Sequence, residues 1–453
     1  MKKYFVKLFL VCCLLSVVCS PAFALSDKGF QTLDIFTKIL HYVENDYVES
    51  VDDEKLLRGA IRGLLSNLDP HTVYLSPEVY KELKADTSGI FGGVGLEITV
   101  REGWVTVISA VEGTPAYKAG IQPGDRILKI NGKSTKEMDL GDAVKEMRGS
   151  QGSKVTLAIG RKDLKQPFNV TLNRQIIKVP SVRAELLDGK YLYVKISSFQ
   201  ERTSEDLRKI LKKYNKDVEA NGLILDMRNN PGGLLDQAVK VSDQFLDGGV
   251  IVTTESRKKE VDRKEAAPDA DGAKSHFPMI MLANGGSASA AEIVAGALQD
   301  HKRALLLGTQ TFGKGSVQSI VELDDGSALK LTIAKYFTPS GRSIQALGIK
   351  PDILVEPTPP KLAKEKTPPR FQEKMLEGHL KGADEEEGAE KSETESFEEP
   401  VVDHQKTVAL NYLKTWEAFK EQGTKTTDNR PKTENKRGAT RYERRATSDE
   451  IRK

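Results

Sequence analysis

Ser289 and Lys314 stand 25 positions apart (314 − 289) in two glycine-rich segments, and their types suit a nucleophile and its base. Ser289 lies in Pro278-Met-Ile-Met-Leu-Ala-Asn-Gly-Gly-Ser-Ala-Ser-Ala-Ala-Glu-Ile293. The stretch reads as a buried strand, a glycine turn and a helix of small residues with the serine at its start. Helix N-termini present unpaired N–H groups and positive potential, so the Ala290 N–H could receive an oxyanion forming at Ser289. Ser287 and Ser289 are also favoured helix caps, and that plainer role stands beside the catalytic one. Lys314 sits in Phe312-Gly-Lys-Gly315, where glycines let other backbone approach closely. Buried there, its ammonium would give up its proton more readily; exposed, it would be an ordinary loop lysine. Gln318, four residues on in an extended segment, faces the same side and could orient the amine.

A histidine base fails on distance. Asp300 and His301 lie 11 and 12 residues down the expected helix from Ser289, which is about 16–18 Å at the helical rise. His41, His71, His276, His379 and His404 fall in helical, loop or tail contexts without a partner pattern. A serine hydrolase lacking a usable histidine needs another base, and a desolvated lysine serves. The loop Asp226-Met-Arg-Asn-Asn-Pro-Gly-Gly233 follows a buried strand and precedes a helix. Its N–H groups could supply a second oxyanion donor, although alone it is only a strand-to-helix turn. Clustered histidine and carboxylate ligands are absent, so neither a metal nor a cofactor is expected.

These residues need elements to hold them, and 453 residues suffice for two or three domains. Residues 1–24 read as an export signal: Lys2, Lys3 and Lys7, an apolar run from Leu8 to Val18, and Ala22-Phe23-Ala24 as the cleavage site. An uncleaved membrane anchor is the alternative. Cys12, Cys13 and Cys19 all fall inside this segment, so the mature chain has neither disulfides nor thiol chemistry. The protein is expected in the periplasm or on the outer face of the cytoplasmic membrane. A formal net charge of +3 gives no field suited to nucleic acid.

Residues 25–86 read as a helical region, with helices over 29–49 and 55–68 and a third opened by Ser76 and Pro77. Strand and turn signals dominate 87–163, including the hairpin turn Asn131-Gly132 and a helix over Leu140–Met147. Residues 164–360 alternate buried strands with helices, ending in a hairpin over Asp324-Asp325-Gly326. From 361 the chain turns polar and charged. One helix is expected at 403–420, with Val408, Tyr412, Trp416 and Phe419 on one side, and disorder beyond 423.

The middle segment resembles a bacterial PDZ domain through Gly93-Val-Gly-Leu96, Ser109-Ala-Val-Glu-Gly-Thr-Pro-Ala116, Ala119-Gly-Ile-Gln-Pro-Gly-Asp-Arg-Ile127 and Ile130-Asn-Gly132. Residues 29–356 as a whole resemble the carboxy-terminal processing proteases of peptidase family S41. The segments that carry this likeness are Leu68-Asp-Pro-His-Thr-Val-Tyr-Leu75, Arg228-Asn-Asn-Pro-Gly-Gly233, Gly286-Ser-Ala-Ser-Ala-Ala-Glu-Ile293, Gly313-Lys-Gly-Ser-Val-Gln318, Thr338-Pro-Ser-Gly-Arg342 and Gly348-Ile-Lys-Pro-Asp352. The resemblance implies a multi-domain α/β protein: a helical N-terminal region, a β-barrel-like PDZ domain and a mixed α/β protease core of the ClpP/crotonase kind. It implies Ser289 as nucleophile, Lys314 as base, Gln318 as its orienting partner, and Gly232 and Ala290 as oxyanion donors. Asp300 is a familiar family position, but the distance argument tells against a direct triad role.

The expected reaction is endoproteolysis of proteins bound by their C-termini. The Gly93, Val94, Gly95 and Leu96 N–H groups would receive the terminal carboxylate, with an apolar pocket beside them. Arg148, just past the Leu140–Met147 helix, could couple the groove to the protease region; the plainer reading is a solvated arginine at a helix C-terminus. An activating adaptor, peripheral membrane association and a homo-oligomer stay open. The alternatives are an inactive PDZ scaffold in the envelope, which predicts a lost nucleophile or base; a Ser/Lys acyl-transfer enzyme for a small molecule, against which a peptide module argues; and a structural protein, which leaves both glycine-flanked loops unexplained.

Overall fold

The computed structural model describes residues 26–428 apart from 163, 165, 218–219, 269–276, 358–371, 377 and 381–402. The expected export segment, His276 and the extreme C-terminal tail lie outside the described residues. The chain divides into two compact units, Met1–Leu68 and Asp69–Lys453.

In the first unit, helices Asp27–Asp46 and Asp53–Ser66 begin where Ser26 and Asp52 cap them by accepting from the Gly29 and Lys55 N–H groups. Both starts fall two residues before the sequence-derived ones. None of the described helices is long and apolar enough to cross a membrane.

The second unit opens with a strand that the helical expectation missed. Val73–Leu75 pairs antiparallel with residues 328–330 of the long strand Ala328–Phe337. Helix Pro77–Ser88 follows, with Ser76 as its cap and Pro77 in its first turn, as the sequence indicates.

The PDZ segment is one antiparallel sheet in the order Leu96–Arg101, Trp104–Ala110, Arg126–Ile130, Lys154–Gly160, Phe168–Asn173. The sheet runs beyond the expected 87–163 segment, because Phe168–Asn173 adds another strand. Helix Leu140–Met147 buries Ala143 and Met147 in a core with Val105, Ile127 and Leu157. Among the described residues, Leu96–Arg101 is an edge strand, paired only with Trp104–Ala110.

The protease core is a six-stranded sheet in the order Val182–Leu187, Tyr191–Ile196, Gly222–Asp226, Met279–Ala283, Leu305–Gly308, Ile353–Leu354. Only its first pair is antiparallel. Its central strands Gly222–Asp226 and Met279–Ala283 are buried at every position, as a sheet covered on both faces requires. Alternation then sorts the side chains: Leu223, Leu225, Met279 and Met281 pack with helix Ala290–Asp300, while Ile224, Ile280 and Leu282 pack with Ala409 and Leu413.

Ala409 and Leu413 belong to the C-terminal helix His404–Asp428. The helix was expected, but its packed face differs. Tyr412, Trp416 and Phe419 are exposed, because small Ala409 and Leu413, one turn apart, allow the closer approach to the sheet. The helix also runs to Asp428, into the segment expected to be disordered. The polar tail before it is not wholly solvated either: Glu373–Met375 forms a short 3₁₀ turn with Glu373 fully buried.

Candidate active site

Ser289 is the N-cap of helix Ala290–Asp300, and its backbone is strained, with φ 56° and ψ −115°. A non-glycine residue at positive φ is uncommon and persists only where its surroundings enforce it. Here the Ser289 N–H donates to Glu292 Oε2 at 2.8 Å, and the Ala288 N–H donates to the Asn230 carbonyl at 2.9 Å. Ser287 is fully buried and structural: its hydroxyl donates to the Met227 carbonyl at 2.8 Å and accepts from the Asn284 N–H. Sharp strand–turn–helix corners of this kind lift a nucleophile into a cavity.

That cavity measures about 430 Å³ and is lined by Ser289, Ala290, Gly232, Lys314 and Gln318, together with Lys330 and Tyr336. Five sequence-derived residues therefore meet in one place. Burial, with help from neighbouring Lys330, pulls the Lys314 pKa down to about 8, against the pull of Glu373, Glu292 and Asp69. Burial also lowers Lys330 and pushes Tyr336 well above its ordinary value, while a hydrogen bond with the Ser289 side chain opposes the latter. The Gln318 amide nitrogen donates to Ser316 Oγ at 2.9 Å and to Thr332 Oγ1 at 3.4 Å.

The backbone around Lys314 is pinned at every polar group. The Phe312 N–H donates to Ser287 O, and the Gly313 and Lys314 N–H groups donate to the Glu292 carboxylate at 2.7 and 2.9 Å. The Gly315 N–H donates to Gln345 Oε1 at 2.9 Å. In return the four carbonyls accept from Glu373 N, Ala346 N, the Tyr336 hydroxyl and Tyr336 N. A loop fixed in this way aims its side chain without freedom to drift.

Glu292 connects the two halves of the site. It is fully buried and accepts from Ser289, Thr311, Gly313 and Lys314. Burial raises its pKa to about 7, although those donors favour its charged form. Sequence reasoning passed over it, yet Ser289-Ala-Ala-Glu292 is the spacing of a capping box and could have flagged it.

Gly232 lies against the nucleophile. A Cβ there would come 2.8 Å from Ser289 Cβ and 3.0 Å from the Ala290 nitrogen, so any side chain would fill the space beside the serine. Its N–H donates to Asn230 Oδ1 at 2.9 Å in this state. The same loop is braced by Arg228, which joins Asp226 and Asp403. Burial opposes the Arg228 charge, but those carboxylates outweigh it and push its pKa upward.

Asp300 lies at the far end of the Ser289 helix, accepting from Ser340 N at 2.9 Å and pairing with Arg342. His301 Nε2 is 2.7 Å from the Val250 carbonyl oxygen. These partners agree with the distance argument against both residues.

The PDZ residues form a second locus. Gly93 ends a short strand opposite Gln175, Val94 is buried in the PDZ core, and Gly95 adopts φ 80° with Thr114 so close that no side chain would fit. Arg148 is not a solvated end residue. Its guanidinium pairs with Asp86 at 2.8 Å and lies 4.2 Å from the centre of the Phe91 ring. Asp86 is on helix Pro77–Ser88, which lines the Ser289 cavity through Leu83, Asp86 and Thr87.

The arrangement has counterparts among known proteins. The model for peptidase family S41 matches residues 190–355, a PDZ domain model matches 106–161, and the model for the activating protease CtpB N-terminal domain matches 22–79. A carboxy-terminal-processing protease of Bartonella bacilliformis is 44% identical over 79% of this chain and 82% of its own length. The chain belongs to peptidase family S41. This S41 peptidase is also 38% identical to the carboxy-terminal processing protease CtpA of Bacillus subtilis, over 73% of this chain and 70% of the relative. A solved photosystem II D1 C-terminal processing protease is 32% identical, with a TM-score of 0.45, covering 73% of this chain and 89% of that one. The enzyme is therefore a serine-type peptidase, with the expected organisation of helical region, PDZ domain and α/β core.

Proposed function

We propose that this S41 peptidase cleaves exported proteins in the cell envelope through a Ser289/Lys314 dyad, after capturing their C-termini in its PDZ domain. The observation that carries the reading is the shared cavity: a strained serine at a helix start beside a lysine that burial holds near pH 8. Neutral Lys314 takes the Ser289 proton as Oγ adds to the scissile carbonyl carbon. The resulting oxyanion turns toward the Ala290 N–H at the positive end of its helix. Gly232 contributes clearance first, and its N–H joins the oxyanion site once Asn230 releases it. Collapse breaks the C–N bond, the amine leaves with the proton from Lys314, and water delivered through the same base hydrolyses the acyl-enzyme. Gln318 steadies the amine from the cavity wall.

The unpaired edge of Leu96–Arg101 suits a substrate C-terminus added as a further strand, with its carboxylate at the Gly93–Leu96 turn. The test compares peptides with free and amidated C-termini, by KM in the wild type and by Kd in the inactive Ser289→Ala. Amidation is expected to raise KM at least about tenfold, because the lost carboxylate removes charge-assisted hydrogen bonds. Equal KM values refute recognition through the C-terminus.

The Arg148–Asp86 pair supports a gate beyond simple tethering, since it connects the end of the groove helix with the cavity wall. A separate C-terminal peptide should stimulate cleavage of a short substrate that cannot span both sites. Arg148→Ala should lose this stimulation while keeping its fold. Competition alone, or equal stimulation of both proteins, refutes the gate.

A further inference from the structure

We propose that Glu373, contributed by the charged tail beyond the core, is a positioning residue that sets the aim and basicity of Lys314. The inference rests on the Ser289/Lys314 reading and adds a residue from a segment that the catalytic motifs do not include. Glu373 is fully buried although Arg370, Gln372, Lys374 and Glu377 flank it in sequence. Three contacts hold it in place, one of them directly to the lysine loop. Its N–H donates to the Phe312 carbonyl at 3.1 Å, two residues before Lys314. Its Oε1 accepts from Gln345 Nε2 at 3.1 Å, and Gln345 in turn accepts the Gly315 N–H. The same Oε1 lies 2.6 Å from His71 Nε2.

The other carboxylate oxygen, Oε2, is buried and has no hydrogen-bond partner. An orphaned buried oxygen is destabilising, so a purely structural clamp gains nothing from a carboxylate there. A charge makes sense at this position if it acts on a neighbour, and Lys314 feels Glu373 as an opposing charge. The neighbourhood that governs Lys314 comprises Glu373 from the tail, Asp69 and His71 from the segment before strand Val73–Leu75, Glu292 from the Ser289 helix, and Lys330 and Tyr336 from the long strand. Removing the Glu373 charge leaves Lys314 with less anionic support and makes its neutral form easier to reach.

The decisive measurement is the pH profile of kcat/KM on a short peptide for the full-length wild type, Glu373→Gln and Glu373→Asp. In Glu373→Gln the acid limb is expected to move to lower pH by about 0.5–1 unit, the sign required by loss of a nearby negative charge. Glu373→Asp keeps the charge but shortens the reach to Gln345 and His71. Its limb should stay near the wild-type position while plateau kcat falls at least about threefold with KM held, the split expected when aim alone is lost. A folded Glu373→Gln whose limb stays put or moves up overturns the proposal, as does a lowered Tm without either kinetic change. If Glu373→Gln does not fold, Glu373→Asp decides: retained limb with lowered kcat supports the proposal, and unchanged kcat overturns it. Failure of the dyad reading is separate, since it would appear as cleavage surviving in Ser289→Ala or Lys314→Arg.

Discussion

Ser289→Ala is expected to reduce kcat/KM by at least about 10³-fold while peptide binding to the PDZ domain is retained, because only the attacking oxygen is lost. The neighbouring serine makes a demanding control. Ser287 is closer to the glycine turn and fully buried, but its hydroxyl is engaged with the Met227 carbonyl and the Asn284 N–H. Ser287→Ala leaves those buried groups short of a partner and is expected to lower stability by about 1–3 kcal/mol. Its folded fraction should still cleave. Peptide turnover, normalised to folded protein by circular dichroism, separates the two effects. Equal loss in both variants, or full activity in Ser289→Ala, removes Ser289 from the nucleophile's role.

Much of the candidate site was legible because the residues that meet in its cavity lie in short segments whose chemistry is local. A glycine turn before a small-residue helix made Ser289 a candidate and flanking glycines made Lys314 one, while the family likeness set them above a helix cap and a loop lysine. The strained φ of Ser289 was not legible, since serine is not a residue that signals positive φ; Glu292 one turn on and Asn230 from a distant loop hold it. Strand Val73–Leu75 escaped notice because three residues carry little periodicity and its partner lies some 250 positions away. Glu373 escaped for a related reason. Its surroundings in sequence are charged and read as solvated, and only tertiary contacts with Phe312, Gln345 and His71 account for its burial. The C-terminal helix was found by pattern but its face was misjudged, because the large aromatics stand outward while Ala409 and Leu413 meet the sheet.

Lys314→Arg is expected to be inactive at every usable pH, and its contrast with the wild type's pH profile is the sharpest test of the base. An ordinary lysine, with a pKa of 10.5, is almost wholly charged at neutrality. Lowered to about 8, roughly a tenth of Lys314 is neutral at pH 7, a gain of roughly 300-fold in the form that can accept a proton. The sign follows directly: kcat/KM rises about tenfold per unit below pH 8 and levels off above it. Burial is the first cause of the shift, so added salt should move this limb little. Arginine would retain the positive charge but could never lose its proton, and its larger planar head would have to fit the same cavity. His301→Ala should keep the wild-type profile, because His301 is occupied with the Val250 carbonyl at the far end of the helix. Near-normal turnover in Lys314→Arg, or a folded His301→Ala without activity, would transfer the base's role away from Lys314. A wild-type profile flat from pH 6 to 9 would do the same, since a neutral fraction that changes so steeply must be visible in any reaction that depends on it.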